Sequence, residues 1–177
     1  MKDKNIIVLD IETTGLDRYR DEILQLSIID YENNVLFNDY FKPEYHSYWR
    51  EAMAIHGITP DMVKNKRHFK DSAEKIVKII SKCDLIVGYN QEYFDIPFIC
   101  SQIRKIYGND RGIGNKPTYD VMLHFAREYG EWDDYHEDYK WQKLQVCADY
   151  YGYDFDPHDS LEDVKATLYA YKKMINE

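Results

Sequence analysis

Four short apolar runs and six stretches with helical spacing set out the plan of this chain. Ile6-Ile7-Val8-Leu9 is an unbroken apolar run within Asn5 to Leu9 and predicts a buried strand. Glu22 to Tyr31 alternates in part, with Leu24, Leu26 and Ile28 on one side, and predicts a second strand. Asn33-Asn34 suits a two-residue type I′ loop with positive φ, so Val35 to Phe41 is expected to return antiparallel until Pro43 ends it. Leu85-Ile86-Val87, inside Asp84 to Tyr89, predicts a buried parallel strand. The chain therefore opens with a three-strand antiparallel meander and then changes to alternating strand and helix.

The helical signals are local. Gly57 marks a tight turn, and Thr59-Pro60 supplies an N-cap and first-turn pair for a short helix. Asp71 is expected to cap a helix whose apolar positions are Ala73, Ile76, Val77, Ile79 and Ile80. Asp95 stands where strand gives way to helix; Pro97 fits the first turn, and Phe98, Ile99, Ile103 and Ile106 continue the apolar side. Gly108 to Asn115 reads as a loop. Tyr119-Asp120 opens a helix through Arg127, and Trp141 to Tyr151 reads as another, with Leu144, Val146, Ala148 and Tyr151 partly inward. The last helix is expected from about Asp159 to Ile175. Asp159 with Glu162, or Ser160 with Asp163, are spaced as N-cap and N3; the first frame leaves Asp163 free to face elsewhere. Between these helices, Glu128 to Lys140 mixes Trp132, Tyr135 and Tyr139 with six acids, as a solvated loop or a base-stacking lid would.

Composition narrows the class. With 177 residues, 44% hydrophobic and 31% charged, the chain is expected to fold as one globular α/β domain spanning 1–177. No linker or repeat marks a second domain. No apolar run approaches the roughly 20 residues of a membrane span, and the run after Asn5 is short for a secretory segment. A soluble, cytoplasmic protein is the default, and Cys83, Cys100 and Cys147 read as reduced thiols without metal-ligand spacing. The formal net charge of −9 argues against a module that coats nucleic acid by charge, but not against an enzyme that grips a few nucleotides.

The chemistry centres on Asp10-Ile11-Glu12-Thr13-Thr14-Gly15. On a strand, Asp10 and Glu12 point to the same side, with Cα atoms roughly 6–7 Å apart. Like charges so placed repel, and hard divalent cations such as Mg²⁺ relieve them. Two such ions about 3.5–4 Å apart are a recurrent device for phosphodiester cleavage. Three further stretches follow in order: Ile55 to Thr59 (IHGIT), Asn90 to Asp95 (NQEYFD) and His158 to Val164 (HDSLEDV).

These four stretches, in this order and over nearly the whole chain, resemble the DEDDh (DnaQ-like) group of 3′–5′ exonucleases, which includes the proofreading subunit of bacterial DNA polymerase III. The resemblance implies a ribonuclease-H-like mixed sheet with flanking helices. It implies that Asp10, Glu12, Asp95 and Asp163 bind two divalent ions, Mg²⁺ or Mn²⁺, and that His158 is the general base. By the same resemblance Thr14 and Leu16 hold the 3′-terminal nucleotide, His56 lines its site, and Asn90 and Phe94 support it. Three features depart from the family pattern. Asn90 and Phe94 are separated by three residues where two are typical, Ser160 stands where alanine is common, and the 128–140 stretch is longer.

The expected activity is removal of nucleoside 5′-monophosphates from the 3′ end of single-stranded or frayed DNA. RNA is the second choice of polymer, and a non-catalytic, polymerase-associated binding module the alternative class. A DNA polymerase is a further expected partner; docking through a C-terminal tail would need residues beyond Asn176-Glu177, so any docking is expected through the protein surface.

Overall fold

The structure, a computed structural model, describes residues 5–176. A five-stranded mixed sheet has the order β3-β2-β1-β4-β5. Its strands are β1 (Ile6–Thr13), β2 (Ile23–Asp30), β3 (Val35–Tyr40), β4 (Leu85–Gly88) and β5 (Thr118–Asp120). β1, β2 and β3 form the antiparallel meander, while β4 and β5 join parallel to β1.

Alternation along β1 sorts the two cores. Ile7, Leu9 and Ile11 face α3 (Phe69–Lys82) and α4 (Asp95–Tyr107), in a cluster with Ile76, Ile80, Phe98 and Ile103. Ile6 and Val8 face α5 (Val121–Tyr129), α6 (Leu144–Tyr151) and α7 (Ser160–Met174), among Phe125, Cys147, Val164 and Leu168. Because side chains alternate with period two, Asp10 and Glu12 continue the face of Ile6 and Val8, toward α7.

Several expectations change in detail. The β2–β3 connection is a three-residue loop, not a two-residue one. Asn33 N–H donates to Asp30 O, Asn33 alone takes positive φ (66°), and Asp30 N–H closes on Asn34 O. The Asp30 carboxylate also accepts Asn34 N–H at 2.8 Å, which favours the wider turn. The register of β1 and β2 slips between Glu12 and Thr13, so Leu24 leaves the face of Leu26 and Ile28. It packs instead with Trp49, Ile58 and Val63.

That third cluster belongs to α1 (Arg50–His56) and α2 (Pro60–Val63). The first of these helices was not legible in the sequence, since none of its residues is buried. Thr59 caps α2 as expected. His68, not Asp71, is the N-cap of α3. Asp71 sits at N3 and its carboxylate accepts His68 N–H at 3.1 Å. Ile106 is exposed on α4. Ile113–Asn115 forms a 3-10 turn within the expected loop. Tyr119 and Asp120 belong to β5, and Asp120 is the N-cap of α5 rather than part of it. The 128–140 stretch contains a small hairpin, β6 (Trp132–Asp133) with β7 (Asp138–Tyr139). Trp141 precedes α6 and is exposed, while Cys147 and Ala148 supply the buried side of that helix. All three cysteines are buried free thiols. No helix among the described residues is long and apolar enough to cross a membrane.

Candidate active site

Three elements bring the acidic residues to one end of the sheet. β1 supplies Asp10 and Glu12. α4 starts at Asp95, immediately past the turn that follows β4. β4 covers β1 only as far as Val8, which leaves the edge of β1 open beyond it. Asp95 Oδ1 fills that gap by accepting the buried N–H of Ile11 at 3.0 Å. Asp95 is thus fixed beside the residue that separates Asp10 from Glu12.

α7 supplies the fourth acid. Its N-cap is Asp159, whose Oδ1 accepts Leu161 N–H at 2.9 Å and Glu162 N–H at 3.4 Å. The first of the two sequence frames is therefore used, and Asp163 faces inward, 8% exposed. Its carboxylate accepts the N–H of His158 at 3.2 Å. His158 takes a left-handed backbone, φ 75°, which is uncommon outside glycine. Its ring is exposed and offers a nitrogen within 4.8 Å of carboxylate oxygens of both Glu12 and Asp163.

The four acids raise one another's proton affinity. Burial pushes Asp10 well above the usual carboxylate range, with Asp95, Glu12, Asp163 and Asp159 adding to it. Burial and the charges of Asp163, Asp95 and Asp159 push Glu12 up to about 9. Burial lifts Asp95 to about 7 against the opposing Ile11 hydrogen bond, and Asp120 and Asp163 contribute. Asp163 also reaches about 7, through burial first, with the His158 N–H opposing and Asp159 adding. Asp10 Oδ2 is buried without a hydrogen-bond partner. An orphaned carboxylate oxygen among mutually repelling acids fits a hard divalent cation, whose ligands are oxygens. Glu12, His158 and Asp163 each offer a ligand atom within 4.8 Å of the others, and Asp10 and Asp95 adjoin this group through their charges.

The remaining sequence candidates divide. Leu16 is 85% exposed and borders a cavity with Tyr93, Phe94 and Phe98. Phe94 is half-buried against the core and precedes Asp95. The Thr14 hydroxyl is already engaged. It donates to Asp21 Oδ1 at 3.0 Å and accepts Glu22 N–H at 3.0 Å.

His56 is engaged at both ring nitrogens. Ile58 N–H donates to Nδ1 at 3.0 Å, so Nε2 carries the proton and donates to Thr13 O at 3.1 Å. The bond accepted from Ile58 requires the neutral ring, and burial, with the nearby His158, holds the pKa below the ordinary histidine value. His56 therefore ties its turn to the end of β1. Asn90 adopts φ 64°, its N–H donates to Asp120 Oδ1 at 3.0 Å, and its own Oδ1 is buried without a partner.

Two contributors act through partners that the sequence did not indicate. Asp120 accepts Asn90, Glu92 and Met122 N–H groups and so holds the turn leading to Asp95. Ser160 is fully buried, its hydroxyl 2.6 Å from that of Ser27, which links α7 to β2. The serine in place of the common alanine thus has a partner.

The RNase_T family, described as Exonuclease, matches residues 7–171, a span that includes every acid of this cluster. The chain belongs to this DnaQ-like exonuclease family. Among relatives of this exonuclease-family protein, the PolC-type DNA polymerase III of Thermotoga maritima is 27% identical over 176 residues. That match covers 98% of this chain and 12% of the polymerase, so the chain spans about an eighth of the relative's length. An uncharacterized exonuclease of Escherichia phage 186, CP81, is 31% identical over 168 residues, covering 92% of this chain and 84% of the phage protein. E. coli exonuclease I, solved with a 5cy-dT13 oligonucleotide, shares the fold with a TM-score of 0.81 and 20% identity. The match covers 98% of this chain and 41% of exonuclease I.

Proposed function

We propose that residues 1–177 form one exonuclease domain that removes nucleotides singly from the 3′ end of single-stranded or frayed DNA and releases nucleoside 5′-monophosphates. The observation that carries this reading is the convergence of Asp10, Glu12, Asp95 and Asp163 at one sheet end, the first two half-buried and the last two buried, mutually repelling and beside the exposed ring of His158. DNA is preferred because exonuclease I was solved with a deoxyoligonucleotide and the Thermotoga relative is a DNA polymerase. The same relative supports a DNA polymerase as a partner.

Asp10, Glu12, Asp95 and Asp163 would hold two divalent ions, Mg²⁺ or Mn²⁺. When bound, such ions supply charge neutralisation at the scissile phosphate and make water easier to deprotonate. His158 accepts the proton of the attacking water at a ring nitrogen, the role of a general base. Its strained backbone and its N–H bond to Asp163 fix the ring beside the acids. Leu16 presents an apolar edge to the terminal base, and Phe94 forms the floor of the same cavity. The His56 brace sets the position of the Thr13 carbonyl and hence of the Thr14–Leu16 segment.

Asp10→Ala, Asp95→Ala and Asp163→Ala are each expected to abolish release of monophosphates from a dT oligonucleotide in Mg²⁺ or Mn²⁺, followed by chromatography of the products. Full activity in any one of them overturns the site assignment.

A further inference from the structure

The acidic aromatic stretch at 128–140 is not used by the site just described, yet it connects to it. Tyr93 forms a wall of the cavity of about 190 Å³ that holds Leu16 and Phe94. It also borders a second cavity, about 120 Å³, with Arg127, Tyr139 and Trp141. Tyr139 and Trp141 then border a third, about 410 Å³, with His136 and Lys140. Three hollows therefore follow one another from the site to the β6–β7 hairpin, and each adjoining pair shares an aromatic side chain.

Between the first and the last stand two exposed rings in register. Tyr93 and Trp141 stack with centroids 5.4 Å apart and planes 24° from parallel. Tyr93 is 59% and Trp141 52% exposed, so both keep surface available. Two cations border this face. Arg18 lines the first hollow and Arg127 the second, and neither makes an ion pair among the described residues. The hairpin itself is acidic, with Asp133, Asp134, Glu137 and Asp138.

We propose that Tyr93 and Trp141 form a stacking platform for unpaired bases upstream of the 3′-terminal nucleotide, with Arg18 and Arg127 facing the phosphates between them. The inference rests on the exonuclease reading and deepens it by naming the substrate class: single strands long enough to reach from Leu16 to Trp141. Aromatic faces accept any unpaired base. A base can lie flat on these rings only where it is unpaired, because in a duplex its faces are covered by stacking within the helix. The departure at Asn90–Phe94, with its additional residue, falls in the turn that carries Tyr93.

The test uses the full chain and oligothymidylates of two, three, five and eight nucleotides. The platform predicts that kcat/KM rises with length, and that Trp141→Ala lowers the eight-to-two ratio about tenfold through KM, within the range that stacking on one aromatic residue supplies. Trp141→Phe, which keeps a flat ring, is expected to restore most of it. Anisotropy of 5′-fluorescein dT8 on Asp163→Ala, with and without Trp141→Ala, reads binding separately from cleavage. An unchanged length ratio in Trp141→Ala overturns the platform alone, because a pair that merely anchors the hairpin leaves that ratio intact. If nothing is cut but Trp141→Ala weakens dT8 binding, the platform stands and the nuclease reading falls.

Discussion

The Asp95 carboxylate accepts the N–H of Ile11 at 3.0 Å, at the point between Asp10 and Glu12 where β4 no longer covers β1. One hydrogen bond thus ties the start of α4 to the strand that bears the first two acids. It also holds like charges together, so metal-free protein carries a repulsion that a neutral side chain relieves. Asp95→Asn keeps an acceptor for Ile11 and loses the charge. It is expected to raise Tm in EDTA by about 2–4 °C, the effect of about 1 kcal/mol in a chain of this size, while activity is lost. A lower Tm than wild type in EDTA contradicts the repulsion.

The pH dependence of metal-free stability follows from the same acids. Glu12 titrates at about 9, Asp95 and Asp163 at about 7, and Asp10 above its ordinary value. In the unfolded chain such groups titrate near ~4. Between those limits the native state holds more protons, so stability falls as pH rises. The contribution is complete below the unfolded values and is lost as pH passes about 7 and then about 9. His56 acts in the opposite direction. Its lowered pKa gives stability that is present above the ordinary histidine value and lost as pH falls through the folded one. The acids outnumber it. Tm in EDTA is expected to drop between pH 5.5 and 8.5, and Mg²⁺ to raise it more at pH 8.5. A rising Tm in EDTA over that range refutes this account.

His158 presents two roles that one variant separates. Its ring lies within 4.8 Å of Glu12 and Asp163 donors, as a ligand or a base would. Asn tolerates the left-handed backbone at this position, so His158→Asn removes the ring with little strain. As general base, the loss is about 10²–10⁴-fold in kcat, with the Mn²⁺ affinity seen in a Tm titration nearly unchanged. A parallel loss of Mn²⁺ affinity makes His158 a ligand instead.

The His56 ring has a fixed tautomer. With Nδ1 accepting from Ile58 and Nε2 donating to Thr13, nitrogen NMR is expected to show the Nε2–H form across neutral pH. His56→Ala leaves the Ile58 N–H and the Thr13 carbonyl without these partners and is expected to cost about 1–3 kcal/mol in urea unfolding. The opposite tautomer, or an unchanged midpoint, removes the brace from the account.

The acids were legible because their spacing reports local geometry. Asp10 and Glu12 share a face by strand alternation, and the Asp159 frame of the last cap turns Asp163 inward. The meander was legible from its apolar runs. What escaped the sequence depends on contacts distant along the chain. α1 has no buried residue and so no apolar stripe. β5 spans three residues and is specified by pairing with β4. The Leu24 displacement follows from a register slip against β1. His68 takes the capping position expected of Asp71 because α3 starts one turn earlier than its apolar pattern indicates. Asp120 and Ser160 act through partners that only the fold supplies.

The central claim is tested most directly by one cleavage assay. Short 5′-labelled single-stranded DNA and RNA are incubated side by side with Mg²⁺, Mn²⁺ or EDTA, using wild-type protein and Asp163→Ala. The account predicts a ladder that shortens from the 3′ end, faster on DNA, and disappears both with EDTA and in the variant. Intact substrate with either metal on both polymers contradicts it.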